Sequence, residues 1–426
     1  MNDTKPSQYR WLVFGLLAIG YLLVNFHRLC PAVVALDLMQ DLQAGGWLVG
    51  LLASAYFYPY AFMQIPSGLL SDSWGPRKTI TGFFILAGFS SMGFGLAHTA
   101  TGAIAARVFV GIGVSMLFVP IMKILTRWFT VSEFSFMTGL LMAIGGLGGL
   151  IAAYPLAYLS AAIGWRGSFI AIGIITLFSA AAIWLFVRNS PEEMGLAAVE
   201  TSDPAQPSPK PIIGLWEGVG VVLRAARFWP LAAWFFFTFG IFFSFSGLWG
   251  GPYFMEIYQL SKTQAGSILS MPAAAIIIGG PLFSYVSDHI LRSRKITLIL
   301  SSAIVGMLSI PLAFFTADMP LPVLYVWSFL LGMFGSAVVV VGFAAAKESF
   351  PMEIAGTAVG LINLFPFLGG AILQPLVGYV LDADGKAATG YSAAAYGQAF
   401  QLYVLCAILA FIAACGMKET LPSRRS

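Results

Sequence analysis

Charge is what this chain has least of. Only 9% of its 426 residues are Asp, Glu, Lys or Arg, against roughly 25% in soluble globular domains. That scarcity excludes a soluble domain on a single anchor and implies a chain embedded in a bilayer from end to end. Cysteine is also scarce: Cys30, Cys406 and Cys415 all lie in apolar runs. An odd number of thiols in such places argues against a disulfide framework. The sequence shows no metal-ligand cluster, no nucleophile–base pair and no phosphate-cradling loop. An enzyme is therefore not expected, and no cofactor or metal is implied. A formal net charge of +4, spread along the chain, does not suit nucleic acid.

What is present is hydrophobic, 59% of the chain. A crossing of the hydrocarbon takes about 20 apolar residues. Twelve segments meet that length: 11–36, 46–70, 79–98, 102–125, 135–161, 166–187, 229–251, 264–286, 296–317, 321–345, 354–381 and 396–417. The first follows Arg10 as a signal peptide would. Its apolar run continues past Pro31 with no small-residue cleavage site, so it reads as the first span. The one long polar stretch, 188–227, separates six spans from six. Its prolines between Ser202 and Pro211 mark a solvated linker. Its end, 212–228, has the spacing of a short interfacial helix.

The expected fold is thus all-α, with twelve transmembrane helices in two six-helix bundles related by pseudo-twofold symmetry. The domains are 1–187, a cytoplasmic linker 188–227, and 228–426. With the termini and linker placed in the cytoplasm, the opposite side holds only Arg166, Lys262 and Lys386. That is a positive-inside pattern with both termini cytoplasmic. A multi-pass protein of the cell (inner) membrane follows, and a monomer is expected.

Between the second and third spans runs Gly68-Leu-Leu-Ser-Asp72-Ser-Trp-Gly75-Pro-Arg77-Lys78. A loop that only had to turn would not need an acid, two bases and two glycines. The pattern G-x-L-x-D-x-x-G-x-R-K resembles the corresponding loop of the major facilitator superfamily of transporters. A weaker echo, with Asp288, Arg292, Arg294 and Lys295, lies half a chain later. Arg107-x-x-x-Gly111-x-Gly113 resembles that family's R-x-x-x-G-x-G element. Gly164-Trp165-Arg166 and Ser190-Pro191-Glu192-Glu193-Met194-Gly195 look like the family as well. The resemblance implies that Asp72 meets the start of the eleventh helix, near Gly356 and Thr357. Gly68, Asp72, Gly75, Arg77, Lys78, Asp288 and Arg292 are accordingly the candidate gating residues.

Tyr21, Asn25 and Arg28 stand at i, i+4 and i+7 and so share one face of the first helix. His27 sits a quarter turn away. A charge facing lipid costs at least ~2.5–3.5 kcal/mol, so Arg28 is expected to face a cavity and a ligand. Asn25-Phe-His-Arg28, with Pro31 and Asp37 beyond, looks like the first helix of the organic-anion and organophosphate branches of the superfamily. The resemblance implies contact with an anionic substrate. His27 stands where those branches often carry an acid.

Arg107, at a depth comparable with Arg28, would repel it unless an anion or a carboxylate lay between them. Asn363 in the eleventh helix offers polar atoms for the second half of the cavity. No acid lies deep in any span; Asp37, Glu133, Glu256, Glu348 and Asp382 stand at the ends. A cavity with Arg28, Arg107 and His27 and no carboxylate favours an anion. His27 is a candidate proton carrier; exchange and facilitation stay open.

The leading expectation is a secondary transporter that imports a small organic anion, a carboxylate or phosphate ester, coupled to a proton or working by exchange. Its partners are that solute and the lipid bilayer. One alternative is an exporter of amphipathic compounds that uses the aromatic seventh helix. A sensor without transport is the third reading.

Overall fold

The computed structural model describes residues 5–196, 215–387 and 390–421; the proline-rich linker expected over Ser202–Pro211 lies outside them. All named elements are helical. In chain order they begin with α1 (Lys5–Leu29), α2 (Pro31–Asp41), α3 (Gly46–Ser54), α4 (Phe57–Phe62), α5 (Gln64–Ser73), α6 (Pro76–Gly95), α7 (Ala100–Ser115), α8 (Phe118–Trp128) and α9 (Val131–Phe186). They continue with α10 (Leu215–Arg224), α11 (Phe228–Ser244), α12 (Gly250–Ile257), α13 (Lys262–Tyr285) and α14 (Arg294–Phe314). The last are α15 (Leu321–Gly332), α16 (Val339–Glu348), α17 (Met352–Ile362), α18 (Leu364–Ala383) and α19 (Ala393–Gly416).

Helix starts follow ordinary capping chemistry. Thr130 and Glu133 cap α9 reciprocally, and Ser261 and Gln264 do the same for α13, each pair satisfying two orphan N–H groups. Ser293 and Ser392 cap α14 and α19 with their hydroxyls. Pro76, at the first turn of α6, follows Gly75 at φ 88°, a backbone angle that suits glycine.

Nine helices among the described residues are long and apolar enough to cross a membrane, or ten if the bent pair Gly46–Phe62 and Pro66–Ser73 forms one span. Two features separate that number from the expected twelve. The predicted fifth and sixth spans lie in the single helix α9, which is broken at Gly164, φ 75°. The predicted third span coincides with α6, whose serines, threonines and glycines make it less apolar. Within 212–228, where a short helix is expected, Leu215–Arg224 is helical as α10.

The chain forms two compact units. One comprises Met1–Cys30 and Ala55–Ser208; the other comprises Pro31–Ser54 and Pro209–Ser426. In the first, α1 lies along α9, and α6 packs on both α9 and α7. The glycines of α9 allow this. A Cβ on Gly148 would stand 2.1 Å from the Leu22 carbonyl oxygen, and one on Gly145 would stand 2.5 Å from the Tyr21 ring. In the second unit, α11 packs on α18 and α19, and α14 on α19.

Segment 31–54 precedes the first unit's remaining helices in sequence yet belongs to the second unit. Asp382 explains part of this. Its carboxylate accepts from the backbone N–H groups of Gly46 and Trp47, each at 2.8 Å, so an acid from α18 caps α3. Asp37 pairs with Lys262 at 2.5 Å. The Ala32 carbonyl lies so near Gly251 that a Cβ there would be 1.7 Å from its oxygen.

Gly148→Ala is expected to cost about 1–3 kcal/mol by overpacking α1 against α9, lowering the unfolding midpoint in detergent. Gly139→Ala serves as the control, since nothing lies within 4 Å of its added Cβ. Equal midpoints for the two variants would contradict the packing described.

Candidate functional site

The shared face read from the sequence is present in the first unit. The Asn25 amide donates to the Tyr21 carbonyl at 3.1 Å, and its oxygen accepts from Arg28 Nη1 at 3.2 Å. Asn25 thereby fixes the guanidinium from below. Arg28 also lies over the Tyr60 ring at 5.0 Å, and the Tyr56 side chain is a further hydrogen-bond partner. Tyr56 and Tyr60 stack at 5.5 Å. Tyr21 faces Phe118 at 5.5 Å, and its hydroxyl points to the Met142 sulfur at 3.5 Å. The result is a half-buried guanidinium walled by tyrosines. Arg presents several donors in a planar fork, which fits carboxylate, sulfonate or phosphate oxygens in pairs.

Sequence reasoning did not single out Tyr56 and Tyr60. A signal existed: two tyrosines at i, i+4 flank Pro59 in an otherwise apolar helix. Such a pair shares a face, but tyrosine in a span is common enough to pass unnoticed.

His27 and Arg107 are placed apart from this face. His27 is fully buried, with Phe26 edge-on at 5.6 Å, and neither ring nitrogen has a hydrogen-bond partner among the described residues. Arg107 is 1% exposed. Its Nη1 donates to the His27 carbonyl at 2.9 Å and approaches the Cys30 sulfur at 3.8 Å. Its guanidinium lies over Tyr56 at 5.1 Å and Phe94 at 6.0 Å. The sequence suggested that an anion or carboxylate must separate Arg28 from Arg107. Here the side chain adjoining both is Tyr56, whose ring face attracts cations. Asn363 lies in the second unit, at the break between α17 and α18.

Within the first unit, the charged loop is held by contacts of its own. Asp72 pairs with Lys123, and Lys123 also donates to the Ser71 carbonyl at 3.2 Å. Asp72 is 71% exposed, so the pair is worth only about 0–1 kcal/mol. Arg77 turns away from Asp72, stacking on Trp184 at 4.4 Å, while its N–H donates to the Asn189 side chain at 2.9 Å. Lys78 is exposed, and Gly68 has open space beside its Cα.

In the second copy, Asp288 is paired with Arg294, not with Arg292. Arg292 is exposed and left-handed, φ 49°, at the turn before α14. Arg294 also meets Glu348 at 3.1 Å and the Ser287 hydroxyl at 3.0 Å. Glu419, past the last helix, then caps α14. It accepts from the backbone of Arg294 at 3.0 Å and Lys295 at 3.3 Å, and from the Ser293 hydroxyl. Thr420 donates to Glu348 at 2.8 Å.

Burial pushes the Glu419 carboxyl upward, but these donors, with the Leu421 and Thr420 N–H groups, outweigh it and hold the group below the usual carboxylate range. A lowered folded-state pKa contributes stability above the ordinary value of about 4.3 and loses it as pH falls through the folded value. Glu419→Gln is therefore expected to cost about 1 kcal/mol at neutral pH, with the difference from the parent closing on acidification below about pH 4. Unfolding midpoints across pH test this; a gap that persists in acid would contradict it.

The family profile of the Major Facilitator Superfamily matches residues 13–374, with a second match over 248–420. A probable sulfoacetate transporter of Cupriavidus necator is 24% identical over 398 residues, covering 88% of each chain. A probable galactarate/D-glucarate transporter of Bacillus subtilis is 25% identical over 415 residues, covering 90% of this chain and 88% of the relative. Among solved structures, a bacterial homolog of the human lysosomal transporter Spinster superposes with a TM-score of 0.78 at 21% identity, covering 96% of both chains. That likeness concerns the fold. With the profile matched over most of its length and this fold beneath it, the chain belongs to the Major Facilitator Superfamily and is a multi-pass membrane transport protein, not an enzyme.

Proposed function

We propose that the protein is a secondary transporter of a small organic anion, working by alternating access, with Arg28 as the anion-binding residue. The carrying observation is the guanidinium of Arg28, oriented by Asn25 and bordered by Tyr56 and Tyr60. Tyr21 and the tyrosine hydroxyls supply further hydrogen bonds to an oxyanion. Relatives named for sulfoacetate and for galactarate or D-glucarate support an anion carrying a sulfonate or carboxylate. Asn363 is proposed as a further polar contact for the substrate. The charged loops around Asp72 and Asp288 are proposed as gates, and both termini as cytoplasmic on the distribution of Lys and Arg.

Export of amphipathic compounds has less support. In α11, Trp234, Phe235, Phe239, Phe242 and Phe243 are all buried. Their rings pack on one another and on Phe343 and Phe367, edge-on, tilted or stacked, which makes them core and not a receptive wall.

Purified protein is expected to be stabilised by one class among short sulfonates, carboxylates and phosphate esters. A ligand at 100 times its Kd adds about 2.7 kcal/mol. Arg28→Ala removes that shift and lowers uptake into proteoliposomes at least about tenfold, as the loss of a charge-assisted hydrogen bond of roughly 1.5–3 kcal/mol implies. Arg28→Lys recovers only part, because a point charge does not reproduce the fork. Uptake unchanged in Arg28→Ala would end the anion-site reading. Uptake driven by a pH gradient would identify a proton symporter; uptake driven only by anion preloaded inside would identify an exchanger.

A further inference from the structure

Pro31 has no N–H, so the helix that runs through α1 into α2 cannot close the bond from residue 31 to the carbonyl four residues earlier. That carbonyl belongs to His27. The preceding bond, from the Cys30 N–H to the Phe26 carbonyl, is intact at 3.0 Å. The orphaned oxygen is where Arg107 Nη1 arrives, at 2.9 Å. The Cys30 thiol reaches the same oxygen at 3.4 Å, only as a weak donor. We infer that Arg107 is a positioning residue, its guanidinium replacing the N–H that Pro31 removes and so fixing the helix break immediately after Arg28.

Three observations favour this over direct contact with a transported anion. Arg107 is 1% exposed, so its charge is enclosed by protein. Its aromatic neighbours, Tyr56 and Phe94, cover the guanidinium at cation–π distance. One turn further on, Gly111 meets the second break. A Cβ there would stand 2.4 Å from the Tyr56 carbonyl and 2.9 Å from the Pro59 ring. One face of α7 thus carries a donor for the break after Arg28 and a vacancy for the break that sets Tyr56 and Tyr60. The i, i+4 spacing of Arg107 and Gly111 is what a device holding both breaks requires.

The test is a double-mutant cycle between residues 107 and 31, read both as the unfolding midpoint and as anion uptake. Uptake rests on the anion-transport reading, while the midpoint does not. Arg107→Ala is expected to lower both, with uptake reduced about tenfold or more. Pro31→Ala restores an N–H at residue 31, so in that background Arg107→Ala is expected to cost roughly threefold or less, a coupling within the range seen for contacting residues. Arg107→Gln, which keeps an N–H donor without the charge, is expected to fall between the parent and Arg107→Ala. It also serves as the folding-competent variant if Arg107→Ala does not fold. Additive losses from Pro31→Ala and Arg107→Ala, or an Arg107→Gln as inactive as Arg107→Ala in well-folded protein, would overturn the inference and make Arg107 a direct ligand. Arg28→Ala is run in parallel. If it leaves uptake intact while the 31–107 coupling in the midpoint persists, the anion site fails and the positioning role stands.

Discussion

In hydrocarbon an unbonded backbone carbonyl has no water to turn to, and each one costs several kcal/mol. This protein is rich in prolines and irregular turns inside its helices, so much of its polar side-chain chemistry serves the backbone. Arg107 answers the break at Pro31. Around the π turn at Phe245–Trp249, Gln374 donates to the Phe243 carbonyl at 3.0 Å, and Trp249 donates to the Gln374 carbonyl at 2.8 Å. The turn at Met333–Ala337 has its Phe334 carbonyl met by Ser301 at 2.5 Å. Breaks widen a helix and aim side chains that a straight helix would direct at lipid. The repairs allow those breaks to persist.

The same constraint shapes the cationic site. A guanidinium in a span needs partners that do not neutralise it if it is to attract an anion. Around Arg28 these include an amide oxygen and tyrosine faces and hydroxyls. None of these carries a full negative charge at neutral pH. Tyr56 serves both arginines at once, letting two like charges share a neighbourhood through aromatic surface. The charged loops follow another logic. There, acids and bases pair directly: Asp72 with Lys123 beside solvent, where the pair costs little desolvation, and the buried Arg294 with two acids, Asp288 and Glu348.

Much of the fold was legible because hydropathy and helix length are local properties. The predicted spans on either side of Gly164 flank the actual break, and Gly-Trp-Arg marks it. The face of Tyr21, Asn25 and Arg28 was legible because helical spacing is arithmetic. Partner identity was not legible. Asp72 pairs with Lys123 from α8, and of the bases that follow Asp288 it is Arg294 that pairs with it. In each case a base nearer in sequence is turned elsewhere by its own helix start or turn. The meeting of Tyr56 and Tyr60 with Arg28 joins residues about thirty apart in sequence, which apolar periodicity does not show. Arg107 was legible as a charge in a span, which usually means function, but its contact with the His27 carbonyl was not. Its tie to a carbonyl freed by Pro31 relates two distant residues through a bond that is missing.

The membership of residues 31–54 in the second unit bears on how the chain is made. This segment emerges early in synthesis, yet Gly251, Lys262, Pro375 and Asp382, which receive it, come much later. Until the C-terminal half is inserted, α3 starts without its cap and the Ala32 carbonyl without its neighbour. An N-terminal half folded first during translation therefore lacks the contacts that seat α2 and α3 here. A chain stopped in the linker lacks Gly251, Lys262, Pro375 and Asp382, and with them the cap of α3 and the ion pair of Asp37.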